Sequence, residues 1–196
     1  DFCTGIGTIP LILSTKTKAK IYGIEVQESV FKLAQKSVQC NNISNIEYVN
    51  DNIFNAKNYF KNIDIVVCNP PYFKTNPKSL INKNENKAIA RHEIATNLKD
   101  IIKISGEILK ETGHLYLSHR PERLIEIVKI LGEYKFSIKK IQLIYSKFEK
   151  NAIILLIDAC KGGKEGLIVS PPIDISKYNS YQNIFKKNQT KKLKNK

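Results

Sequence analysis

The chain has 196 residues, 42% of them hydrophobic and 26% charged, and a formal net charge of +14. That length and apolar share suit one α/β domain with a tail, no apolar run is long enough to span a membrane, and no signal peptide shows. Four cysteines without C-x-x-C spacing and three histidines without metal-ligand spacing speak against a disulfide framework or a zinc site, so the expectation is a reduced, cytoplasmic, metal-free protein whose charge suits a polyanionic partner or a membrane surface.

The segment Asp1 to Pro10 is a glycine-containing loop that opens an apolar helix at Leu11-Ile12-Leu13. Gly5 and Gly7 let the backbone approach a ligand where a Cβ would obstruct it, and the helix start presents free N–H groups. The third glycine of the dinucleotide fingerprint is absent, so the loop suits a nucleoside cofactor better than a dinucleotide. The strand Ala19 to Ile24 ends in Glu25. A carboxylate there is placed to accept from both hydroxyls of a ribose; it would equally serve as a helix N-terminal acid favoured by the macrodipole. The helix Gln27 to Asn41 carries Val30, Leu33, Ala34 and Val38 as a core-facing stripe. Asn45 to Asn50 reads as the next strand. Asp51 beyond it either accepts from the exocyclic amine of an adenine, with Ile53 over the ring, or closes an Asx-turn.

Ile63 to Cys68 then reads as a buried strand that runs into Asn69-Pro70-Pro71-Tyr72. Asn69 brings an amide carbonyl to the strand end. The prolines stiffen the turn and, lacking N–H groups, leave a backbone carbonyl free to accept. With the ring of Tyr72, this suits a grip on a planar group bearing –NH2. The alternative is a rigid turn with Tyr72 as a packing residue. A polar stretch, Lys74 to Lys87, is predicted to be a mobile loop over the site. After it come a helix from Ala95 to Lys110, a strand from His114 to Leu117 and a helix from Glu122 to Glu133. Two further strands, Phe136 to Tyr145 and Asn151 to Ala159, join around Lys147 to Lys150. This alternation predicts a mainly parallel sheet with helices on both faces. Gly162-Gly163 and Pro171-Pro172 mark the exit from a domain spanning 1–175, and 176–196 is a basic tail of low complexity, predicted to be disordered.

Asp1 to Pro10, Glu25, Asp51-Asn52 and Asn69-Pro70-Pro71-Tyr72-Phe73 resemble the successive motifs of the class I S-adenosylmethionine-dependent methyltransferases. The Asn-Pro-Pro-Tyr form resembles the branch that methylates amino nitrogens. Ala90-Arg91-His92-Glu93 and Leu115 to Leu124 are similar to segments of the bacterial tRNA1(Val) (adenine-37-N6)-methyltransferase family. Cys3 stands where many of that family carry glycine. The resemblance implies a Rossmann-like sheet with a C-terminal antiparallel hairpin, S-adenosylmethionine as cofactor, and a monomer acting on tRNA. It assigns Asp1, Gly5, Gly7, Glu25, Asp51, Asn52 and Asn69 to cofactor binding and Asn69, Pro70 and Tyr72 to catalysis. It also puts Asp1 at the end of the family's first strand, so that strand is expected to be missing, its neighbours to carry unpaired groups along apolar edges, and the chain to be a fragment or incomplete product. Arg91, Arg120 and Arg123 suit either phosphate contact or a solvated face. Two other classes fit parts of the pattern: a protein glutamine-N5 methyltransferase acting on a release factor, since a glutamine amide offers the same planar –NH2, and an RNA-binding module without activity.

Overall fold

The computed structural model describes residues 1–70, 97–148 and 150–177. Pro71, Tyr72, Phe73, the Lys74 to Lys87 loop, Arg91, His92, Glu93 and most of the tail lie outside the described residues.

Strands and helices alternate as the sequence predicts: α1 (Thr8–Ser14), β1 (Ile21–Glu25), α2 (Glu28–Cys40), β2 (Ile46–Asn50), a 3-10 turn (Ile53–Asn55) leading to α3 (Ala56–Tyr59), and β3 (Ile63–Cys68). Then follow α4 (Leu98–Ile108), β4 (Leu109–His119), a 3-10 turn (Pro121–Arg123), α5 (Leu124–Glu133), β5 (Phe136–Tyr145), β6 (Ala152–Lys161), β7 (Ile168–Val169) and β8 (Ile173–Asp174). β1 pairs with β2 in parallel, and β3 pairs with β4 in parallel. β6 lies antiparallel between β4 and β5, which forms the expected hairpin.

Phe2 joins the two sheets. It makes parallel bridges to Ile24 of β1 on one side and Cys68 of β3 on the other. Its N–H donates to the Val67 carbonyl at 2.9 Å, while Ile24 N–H donates to the Asp1 carbonyl at 3.0 Å. The chain order across the sheet is therefore β2, β1, Phe2, β3, β4, β6, β5. Toward the amino end of β1 the Tyr22 carbonyl accepts from the Asp1 amino group at 2.7 Å, and Ile65 of β3 is 52% exposed.

One core cluster spans the parallel strands and the antiparallel hairpin. In α4, Leu98, Ile101, Ile102, Ser105 and Ile108 recur at helical spacing on one buried face, and Ser105 Oγ satisfies itself on the Ile101 carbonyl at 2.7 Å. Asn97 caps that helix by accepting from Asp100 N–H at 2.9 Å. Along β4 the buried residues alternate, Leu115, Leu117 and His119, facing Leu155, Ile157 and Ala159 of β6.

Several boundaries differ from the expectation. α2 buries Ala34, but Leu33 is 54% exposed and does not join the core stripe. The apolar arc of this helix, which packs on β1 and β2, is narrower than its periodicity suggests. β4 starts at Leu109 directly from the helix, not at His114, because Leu109 already pairs with Ile63 before the ladder shifts register and resumes at Ile65 and His114. The helix predicted from Glu122 opens instead as a 3-10 turn at Pro121, whose ring fixes φ at the first position. The short strands β7 and β8, which both pair in parallel with β5, carry too few residues to leave a pattern in the sequence.

Candidate active site

The carboxyl ends of the parallel strands bring the motif residues into one row: the glycine loop after Phe2, Glu25 at the end of β1, Asp51 after β2 and Asn69 after β3. In an open α/β sheet this edge forms the ligand crevice.

The loop is anchored at both ends. Thr4 N–H donates to the Ile24 carbonyl at 3.1 Å, Gly7 N–H to the Thr4 carbonyl at 3.0 Å, and Gly5 N–H to Glu25 Oε2 at 2.9 Å. Glu25 is 5% exposed, and its Oε1 accepts from Gln27 N–H at 3.0 Å. One carboxylate thus ties the glycine loop to the residue that caps α2. Each oxygen retains a lone pair, so both remain able to accept from ligand hydroxyls. At the loop's start, Asp1 Oδ2 accepts from Thr4 Oγ at 2.7 Å, and Asp1 Oδ1 is buried with no partner among the described residues. A buried carboxylate oxygen left in that state calls for a donor.

The two glycines differ in what they permit. Gly5 has φ +57°, and a Cβ there would meet nothing within 4 Å. Gly7 has φ +83°, and its Cβ would fall 2.1 Å from Tyr48 Oη. A Cβ on Gly23 would fall 2.6 Å from the same tyrosine ring. Gly5 therefore leaves open space, whereas Gly7 and Gly23 make room for Tyr48. α1 has only seven residues, with Gly7 as its cap. Burial pushes the Tyr48 phenol up to about 12 from its ordinary 10.0. The unfolded chain releases that proton first as pH rises, so the stability contributed by keeping Tyr48 neutral is present below pH 10 and lost on the way to 12. Ultraviolet titration is expected to show a late phenol that vanishes in Tyr48→Phe.

Asp51 is engaged locally. Its Oδ1 accepts from Asn52 N–H at 2.6 Å and Asn55 Nδ2 at 2.8 Å, and its Oδ2 accepts the Tyr59 hydroxyl at 2.6 Å. The Tyr59 and Asn55 donors hold its carboxyl below the usual range. Asn52 Oδ1 caps the next turn by accepting from Phe54 N–H at 3.1 Å, and Ile53 is buried in the core. The side-chain bond two residues on, which defines an Asx-turn, is thus made by Asn52 and not by Asp51. Tyr59, eight residues beyond Asp51, was not singled out in the sequence.

Asn69 is exposed at the end of β3 and Pro70 is buried beside it. On the neighbouring strand His119, 2% exposed, accepts Arg120 N–H on Nδ1 at 2.8 Å. Burial, then the nearby Arg123, lowers its pKa below the ordinary histidine value. Arg123 Nε donates to Glu126 Oε2 at 2.8 Å, and its Nη1 lies 3.4 Å from His119 Nε2. Its side chain is 21% exposed and that of Glu126 41%. Arg120 lies 3.6 Å from Glu122 at the surface. No cluster of metal-ligating side chains occurs among the described residues, and none of their helices is long and apolar enough to cross a membrane.

Comparison with known proteins places this arrangement. A release factor glutamine methyltransferase of Fusobacterium nucleatum is 28% identical over 148 residues, covering 72% of this chain and 42% of its own length. A tRNA1(Val) (adenine(37)-N6)-methyltransferase of Glaesserella parasuis is 30% identical over 139 residues, 68% of this chain and 57% of its own. The chain thus spans about half the length of these curated relatives. The crystal structure of a predicted O-methyltransferase from Agrobacterium tumefaciens shares the Rossmann-like fold, with a TM-score of 0.69 at 20% identity over 90% of this chain and 79% of that one. The profile of the methyltransferase small domain matches residues 1–126, well over half of the sequence, and the chain belongs to that family.

Proposed function

We propose that this chain transfers a methyl group from S-adenosylmethionine to the N6 amino group of an adenine in tRNA, by resemblance A37 of tRNA1(Val). The observation that carries the reading is the placement of exposed Asn69 one strand position from the anchored glycine loop, on the ligand-binding edge of the sheet. The residues present fit the cofactor. The open face of Gly5 admits a ligand against the backbone, Glu25 offers acceptors to ribose hydroxyls, and the unpartnered Asp1 Oδ1 offers one to an ammonium group. When bound, S-adenosylmethionine supplies an already electrophilic sulfonium methyl.

The chain's own contribution lies with the nucleophile. An adenine N6 lone pair is delocalised into the ring. The Asn69 side-chain carbonyl and the Pro70 backbone carbonyl accept the two N–H bonds, hold the amine in place and favour a pyramidal nitrogen. Such alignment is worth several kcal/mol of barrier. Tyr72 stacks on the everted base, adding roughly 1–3 kcal/mol. No strong base is needed, because the amine becomes acidic only as it gains its fourth bond. The charge of +14 favours a polyanionic substrate, and binding should weaken steeply with salt.

The Fusobacterium relative supports a second reading, methylation of a glutamine amide in a release factor. The two readings separate in one assay. The full chain, with labelled S-adenosylmethionine, is offered unmodified tRNA, DNA and a release factor in parallel, and the product is identified by mass spectrometry. Label is expected in tRNA as N6-methyladenosine. Label in the release factor alone reverses the ranking.

A further inference from the structure

We propose that Cys3 and Cys68 form an oxidisable thiol pair that closes, under a peroxide, into a disulfide between the glycine loop and the strand carrying Asn69. The two lie 65 positions apart, a separation that shows no spacing motif, yet the fold makes them neighbours. Phe2 bridges Cys68 in parallel and donates to Val67, so Cys3 is the next residue past the bridge. Its backbone then turns into the left-handed region at φ +54°. Cys3 packs against the core cluster that contains Cys68. Cys68 is 1% exposed and Cys3 partly exposed, which gives the pair one accessible and one sheltered member.

The roles follow from that asymmetry. The neighbouring Cys68 thiol holds the Cys3 thiol below its ordinary value and so favours its thiolate, the attacking form. The proximity of Cys3, with burial, pushes the Cys68 thiol up and keeps it protonated. The Cys3 thiolate attacks one peroxide oxygen, the O–O bond breaks, and water leaves after protonation, giving Cys3 sulfenic acid. Cys68 sulfur then attacks Cys3 sulfur, the S–O bond breaks, and the Cys68 proton departs with the leaving oxygen as a second water. The pair loses two electrons and the peroxide gains them.

Closing the bond draws the sulfurs to about 2.05 Å. That pulls the start of the glycine loop against β3, between Asp1 and Gly5. The effect on cofactor rests on the reading that this loop holds it. Other sites are less suited: Cys40 is exposed and without a cysteine neighbour among the described residues, and Cys160 is buried, with its thiol donating to the Lys161 carbonyl at 3.7 Å.

The test uses the full chain carrying Cys40→Ser, treated with stoichiometric hydrogen peroxide and digested without reduction. The expected product joins the tryptic peptide ending at Lys16 to Asn62–Lys74 with loss of two hydrogens. The affinity for S-adenosylhomocysteine should fall about tenfold, within the usual range of coupling between sites, and return with dithiothreitol. Cys3→Gly, which suits the positive φ, should bind as the parent does and ignore the oxidant. Cys3 oxidised without a link to Cys68, links only between molecules, or a linked protein with unchanged affinity each overturn the proposal. Failure of the reduced protein to bind would instead indict the cofactor reading.

Discussion

Replacing Asn69 by alanine is expected to lower turnover by two to three orders of magnitude while S-adenosylmethionine binds within a few fold of the parent. The first half follows from the transition state. Removing one preorganised hydrogen-bonding group aimed at a reacting centre costs about 10²–10³ in kcat, and here the lost acceptor also orients the lone pair. The second half follows from geometry. The loop anchors run from Gly5 to Glu25, from Thr4 to the Ile24 carbonyl and from Thr4 to Asp1, within the loop and the end of β1. Asn69→Asp retains an acceptor oxygen and should keep part of the turnover. Single-turnover rates with equilibrium binding separate the two terms, and a large loss of cofactor binding would show that Asn69 is misassigned.

Gly7→Ala is expected to destabilise the fold by about 3 kcal/mol, from roughly 1–2 kcal/mol for a left-handed alanine and a similar cost for overpacking. The new Cβ would fall 2.1 Å from Tyr48 Oη and 2.8 Å from its Cζ, so Tyr48→Phe does not relieve it. At this chain length the melting point should fall by about 10 °C. Gly5→Ala shares the positive φ but meets no atom; it should cost only about 1 kcal/mol in stability and weaken the cofactor instead. Tyr48→Ala in the Gly7→Ala background should recover at least about 1 kcal/mol as a coupling energy. Additive losses in urea unfolding would mean that Tyr48 does not set the requirement for glycine at position 7.

The fold class was legible because local patterns carry it. Strand and helix alternation, the Ile-rich face of α4 and the two hairpin strands all follow from side-chain periodicity within a single segment. The hairpin at the end of the sheet followed from the resemblance, which rests on short motifs at strand ends. Leu33 was misjudged because periodicity reports which residues share a face, while the extent of what covers that face depends on neighbouring strands. Asp51 kept two readings in the sequence, and the fold resolved its immediate partners: Asn55 and Tyr59 reach back to it only because the 3-10 turn and α3 bring them around.

The amino-acid order by itself determined an α/β chain, the glycines and acids at the strand ends, and a basic charge suited to a polyanion. Only the tertiary structure decided which side chains meet: Tyr48 against Gly7 and Gly23, and Cys3 beside Cys68. The reason is range. A helix or strand is specified by residues a few positions apart, whereas these contacts depend on sheet register, which Phe2 sets by bridging β1 and β3 at once.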